Sequence, residues 1–163
     1  MRYRSVDSLR DFEFHDAKWT LVSHGDGSLV GDVKYLNIHQ DAEQNTADCD
    51  MEIENARITF FAFRVTVFKL VFPVTVDTTG IRHPAEPPVI FEGRQAFEAL
   101  LNEMKDEMTI YHFSETGDGK WLIEGCGDSP FFEARIDFES VSVEWDAYRR
   151  PAWYVLHSRG IQA

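Results

Sequence analysis

Apolar and polar residues alternate along most of the chain, which is the period of strands with one buried face. Ala17, Trp19 and Leu21 alternate with Lys18 and Thr20. Leu29 to Ile38 forms the returning strand, and the Asp-Gly of Ser23-His24-Gly25-Asp26-Gly27-Ser28 marks the hairpin between them. Strand character resumes at Met51 and Ile53. Phe61, Phe63, Val65 and Val67 then occupy odd positions, and Phe68, Leu70, Phe72, Val74 and Val76 occupy even ones. A one-residue slip exchanges the buried face for the exposed one, so a bulge or sheet corner is expected near Val67-Phe68. A second change of phase separates Phe132, Ala134, Ile136 and Phe138 from Val141, Val143 and Trp145.

One segment departs from this period. Phe97, Leu100, Leu101, Met104 and Met108 fall on a single stripe at helical spacing and predict an amphipathic helix over 94–108. Ser5 to Asp11 predicts one or two helical turns, with Ser5 as the cap. Thr116-Gly117-Asp118-Gly119 is a second hairpin turn. Residues 39–50 read as a mobile polar loop, and residues 78–88, with Gly80, Pro84, Pro87 and Pro88, as another. The tail beyond Arg149 shows no regular pattern. The fold class expected is mainly β: an antiparallel curved sandwich or partly closed barrel of about eight to ten strands, with one helix packed on it. No repeat and no shift of composition marks a linker, so residues 1–163 read as one domain.

Composition agrees with packed sheets. Thirteen Phe, five Tyr and four Trp supply large apolar surfaces. Charge narrows the partners: 16 basic against 28 acidic residues gives a net charge of −12. Such a field repels nucleic acid and anionic membranes, and it steers basic proteins toward the surface. Cys49 and Cys126 have no metal-like spacing and read as free thiols in a reducing compartment. Met1 to Asp7 lacks the apolar region of a signal peptide. The apolar stretch Ile58–Val76 is interrupted by Arg64, Lys69 and Pro73, so a cytoplasmic location is expected.

Motifs that fix a reaction are missing: there is no Gly-x-Ser-x-Gly elbow, no Cys-x-x-Cys and no His-Glu-x-x-His. No cofactor is expected. His15-Asp16 places an imidazole beside a carboxylate and is the candidate catalytic pair, although neighbours on a strand point to opposite faces. His39 and Asp41 share a strand parity and are the candidate metal ligands. Glu133, Asp137 and Glu139 read as the solvated outside of a sheet. Trp145, Tyr148, Arg149, Trp153 and Tyr154 crowd aromatic and guanidinium groups into ten residues, a composition typical of protein interfaces, and are the candidate partner-binding residues.

The opening Phe12-Glu13-Phe14-His15-Asp16-Ala17 and the closing Val143-Glu144-Trp145 with Trp153-Tyr154 resemble small uncharacterised bacterial proteins that begin with a Phe-His-Asp signature. That resemblance implies a fold more than a function. Three readings follow from the residues. The first is a non-enzymatic module that binds a basic protein, of which a toxin-neutralising immunity-type protein is one form. The second is a binder of a small apolar ligand in a Phe-lined curved sheet. The third is a hydrolase or metal enzyme centred on His15 and Asp16.

Overall fold

A computed structural model describes residues 1–83 and 85–160, so Pro84 and residues 161–163 lie outside the described residues. Strand β1 (Tyr3–Val6) leads through a 3-10 turn at Leu9–Asp11 into β2 (Phe12–Glu13). The hairpin β3 (Lys18–Gly25) and β4 (Ser28–Lys34) follows, then β5 (Asn37–Ile38), β6 (Met51–Ile53), β7 (Ala56–Phe61) and β8 (Arg64–Leu70). A small arm, β9 (Thr75–Val76) and β10 (Arg82–His83), precedes β11 (Val89–Glu92) and helix α1 (Gly93–Met104). The chain closes with β12 (Met108–Glu115), β13 (Trp121–Cys126), β14 (Phe132–Asp137), β15 (Ser140–Trp145), β16 (Tyr148–Pro151) and helix α2 (Trp153–Ser158).

Ten strands form one sheet in the order β1-β15-β7-β4-β3-β12-β13-β14-β8-β11, and β16-β6-β5-β2 form a second. All pairings in these two sheets are antiparallel. The mainly β, antiparallel expectation holds, and the large sheet is not closed into a barrel: β1 and β11 remain as its edges. The helix covers a sheet face as expected. Ala96, Leu100 and Met104 are buried on α1, which packs against β8, β11 and β3. Inside, Trp19, Phe60, Phe68, Phe132 and Trp145 are fully buried, and Phe68 stacks on Phe132 with ring centroids 5.2 Å apart.

Several expectations are corrected. Of the helical turns expected over Ser5–Asp11, one 3-10 turn stands at Leu9–Asp11, while Ser5 lies in β1, buried and paired to Val143, and caps nothing. The helix stops at Met104, while Met108 begins β12 opposite Trp19; the shared spacing is fortuitous because Met108 is buried from a strand. The phase change near Val67 is a genuine bulge, seen as a register shift between Arg135 and Ile136 in the β14–β8 pair. The run from Phe61 to Val65, however, contains a turn, with Ala62 in the left-handed region at φ 51°. The second phase change separates two strands, β14 and β15, that lie far apart in the sheet. Residues 78–88 include β10 of the arm, and the tail beyond Arg149 forms the second half of β16 and all of α2. Both hairpin turns stand where Asp-Gly placed them. Cys49 and Cys126 are free thiols; Cys49 is buried and Cys126 partly so.

Candidate functional site

The second sheet and the tail build the most chemically dense surface. At the end of β2 the chain turns through Phe14–Ala17, closed by the Ala17 N–H donating to the Phe14 carbonyl at 2.9 Å. The turn is locked to β12: Asp16 N–H donates to the Ile110 carbonyl, and Ile110 N–H to the Ala17 carbonyl, both at 2.9 Å. Asp16 sits at φ 67°, a conformation that Asp tolerates better than most residues. That turn breaks strand alternation, so His15 and Asp16 do face each other, with Nδ1 and Oδ2 3.1 Å apart. The expectation that adjacent residues point apart is overturned for this reason. Glu13 Oε1 accepts the His15 backbone N–H at 2.8 Å.

His39 pairs with Asp50, not with Asp41: Nδ1 lies 3.3 Å from Asp50 Oδ2. Asp41 is exposed, and its charge, after burial, contributes to raising the Asp11 carboxyl. No group of three or more His, Cys, Asp or Glu with metal-site geometry occurs among the described residues. The 39–50 loop is tied down where free movement was expected. The Asn45 amide donates to the carbonyls of His39 and Cys49, each at 3.0 Å, and the Tyr148 hydroxyl donates to the Gln44 carbonyl at 2.7 Å.

Asp50 is the hub. Its Oδ1 accepts the Gln40 N–H at 2.6 Å, and its Oδ2 accepts the Tyr154 hydroxyl at 2.7 Å. Burial alone would raise this carboxyl, but the bonds from Tyr154, Gln40 and His39 together hold it below its ordinary value of 3.8. Burial and the adjacent Asp50 carboxylate push the Tyr154 hydroxyl strongly upward. A depressed carboxyl contributes stability that is fully present above its unfolded value and lost as pH falls through its folded value. In urea titrations, Asp50→Asn is therefore expected to lose less stability than the parent as pH drops below about 4. Parallel pH curves for the two proteins would show that Asp50 has no such role.

The predicted tail residues divide. Trp145 is fully buried, stacked on Tyr3 at 5.4 Å, and belongs to the core. Tyr148 and Tyr154 are partly buried and anchored by their hydroxyls. Arg149 and Arg150 converge on Glu52, which is 3% exposed, at 2.9 and 3.2 Å. Arg149 also lies over the Tyr35 ring, 5.6 Å from its centroid. Trp153 remains 43% exposed.

Trp153 and His15 border two cavities. One, about 540 Å3, is lined by Glu13, His39, Asp50, Tyr111, His112 and Tyr154 besides those two. The other, about 360 Å3, is lined by Asp16, Lys18, Tyr35, Glu52, Thr109 and Arg150. The first presents Glu13 and Asp50 with aromatic rings and three imidazoles, and the second holds Lys18 and Arg150 together with Asp16 and Glu52. Glu13, Lys18, Asp50, Glu52, Tyr111 and His112 escaped sequence reasoning. A register shift between Ile110 and His112 turns Tyr111 and His112 outward, and no local residue signals it. A roomier cavity of about 730 Å3 lies elsewhere, between the β3–β4 turn and the start of α1, over Phe63, Val65 and Phe97. Glu133 and Asp137 pair across the sheet with Lys69 and Arg64, each at 3.0 Å, as a solvated face does. No helix among the described residues is long and apolar enough to cross a membrane. No family model matches the chain, and neither a curated protein nor a solved structure matches it.

Proposed function

We propose that the protein is a binding module for a basic protein, and that the cavity beside Trp153 receives a cationic side chain of that partner. The observation that carries this reading is the meeting of the exposed Trp153 ring with Glu13, Asp50, Tyr111 and Tyr154 around one cavity. An ammonium or guanidinium gains from an aromatic face and from carboxylates with spare lone pairs. Glu13 has such capacity, since only its Oε1 accepts a bond among the described residues. The net charge of −12 favours encounter with a basic surface. Neutralisation of a basic toxin is the specific form of this reading, in which occupation of the cavity masks a functional cation.

The test uses defined probes. Blocked arginine (N-acetyl-arginine amide) is titrated into the protein by NMR, with blocked glutamine as the neutral control. Saturable shifts at Trp153 and Tyr111 with arginine alone are expected. Trp153→Ala and Glu13→Gln should each weaken binding by about threefold to tenfold, the size of an exposed cation–π contact or a charge-assisted hydrogen bond. Equal shifts with glutamine would end the reading.

A second reading has its own observation. His15 with Asp16 and His39 with Asp50 are two imidazoles, each paired with a carboxylate, on one cavity. A carboxylate on Nδ1 orients the ring and fixes its tautomer, as acid–base catalysis requires. A screen of chromogenic esters and phosphodiesters tests it. Turnover that falls about 100-fold in His39→Ala is the expected sign of a general acid or base, and absence of turnover removes the reading.

A further inference from the structure

Resting on the cation-binding reading, we infer that the second cavity receives a carboxylate, so that the group recognised is the C-terminal arginine or lysine of a partner chain. The two cavities share His15 and Trp153 and are therefore adjacent, and only the second is lined by Lys and Arg. The second cavity is lined by two cations, Lys18 and Arg150, and two carboxylates, Asp16 and Glu52. The two oxygens of Glu52 are taken by Arg149 and Arg150, and Asp16 is engaged by His15. Lys18 has no carboxylate within 4.0 Å among the described residues, and its ammonium donates only to the Thr109 hydroxyl. Arg150 uses its Nε on Glu52 and makes no other side-chain bond among the described residues. Lys18 and Arg150 thus offer unused donors into a cavity, and with Arg149 on Glu52 three cations stand there against two carboxylates, Asp16 and Glu52.

A carboxylate is the matching group for such donors, and it bonds to charged donors more strongly than a neutral amide does. Few common groups present a carboxylate one side chain away from a cation. The last residue of a chain ending in Arg or Lys does, with its carboxylate toward Lys18 and Arg150 and its cation toward Glu13 and Asp50. An internal basic residue supplies only the second half. Free arginine carries the same two groups, so the experiment must separate it from a chain terminus.

The probes are acetyl-Gly-Gly-Arg with a free carboxylate, the same peptide as its C-terminal amide, and free arginine, each titrated into the intact protein by calorimetry. The free-carboxylate peptide is expected to bind at least about tenfold more tightly than the amide, the gain of one or two charge-assisted hydrogen bonds. Lys18→Met should erase that difference while leaving affinity for the amide unchanged, which also shows that the variant is folded. Equal affinities of the two peptides for the parent protein would overturn the carboxylate inference and leave the cation reading standing. Failure of both peptides to bind would overturn the two together. Free arginine binding more tightly than the peptide would replace the chain terminus with a free amino acid.

Discussion

Gly31→Ala is expected to cost about 3 kcal/mol of folding free energy, at the upper end for an overpacked core. Gly31 lies within β4, where a glycine is otherwise a weakness. The indole of Trp19 explains its presence. A methyl at position 31 would fall inside that ring, 2.5 Å from Cδ1 and nearer still to Nε1. Trp19 is fully buried against Phe60 and cannot swing into solvent. The added methyl must therefore push either the ring or the β4 backbone, which is held by pairing to β3 and β7. Urea denaturation measures the loss as a lower midpoint at unchanged slope. A Gly31→Ala protein within about 0.5 kcal/mol of the parent would show that the core yields around the indole. Trp19→Phe should lower the cost of the alanine, since residues in contact are coupled.

Glu52→Gln is expected to cost about 2 kcal/mol and to loosen the tail. Removing one partner of a buried ion pair typically costs about 3–5 kcal/mol, because a desolvated charge is left behind. Here the loss is smaller, since Arg149 and Arg150 are 47% and 34% exposed and water can rehydrate them. The carboxylate itself is 3% exposed, and glutamine offers one acceptor oxygen where two guanidinium groups converged. Because β16 pairs with β6 at these residues, Tyr148, Trp153 and Tyr154 should become more mobile together. Faster amide exchange in 148–158, alongside the lower urea midpoint, is the expected result. Unchanged stability would mean that the ion triad contributes nothing net, as some buried triads do.

What was legible in the chain is what local physics determines. Alternation located most strands, and Asp-Gly located both hairpins because left-handed backbone is cheap for those residues. The turn at Ala62 was hidden, since Phe-Ala-Phe-Arg carries no turn residue and only the surrounding sheet holds Ala62 at φ 51°. The helix end was misplaced because Met108 continues the helical stripe yet is buried from β12. At the candidate site, His15 and Asp16 stood out as neighbours, but their pairing depends on a left-handed Asp16 locked to Ile110. Asp50 and Glu52 gave no signal at all. Besides His39 and Gln40 on Asp50, their partners lie about a hundred residues away, at Tyr154, Arg149 and Arg150.

Those long separations also set an order of events during synthesis. The Asp50 hub and the Glu52 triad join residues near the first third of the chain to residues 149–154. Strand β1 likewise finds its partner only in β15. A chain that extends only to residue 140 already holds every strand that α1 packs against, yet it lacks Arg150, Trp153 and Tyr154, which complete the two cavities. The candidate site is assembled last, by closure of distant segments, which is the slow step in chains dominated by non-local contacts. Until that closure Asp50 and Glu52 lack their distant partners, and neither cavity has the Trp153 ring that both share.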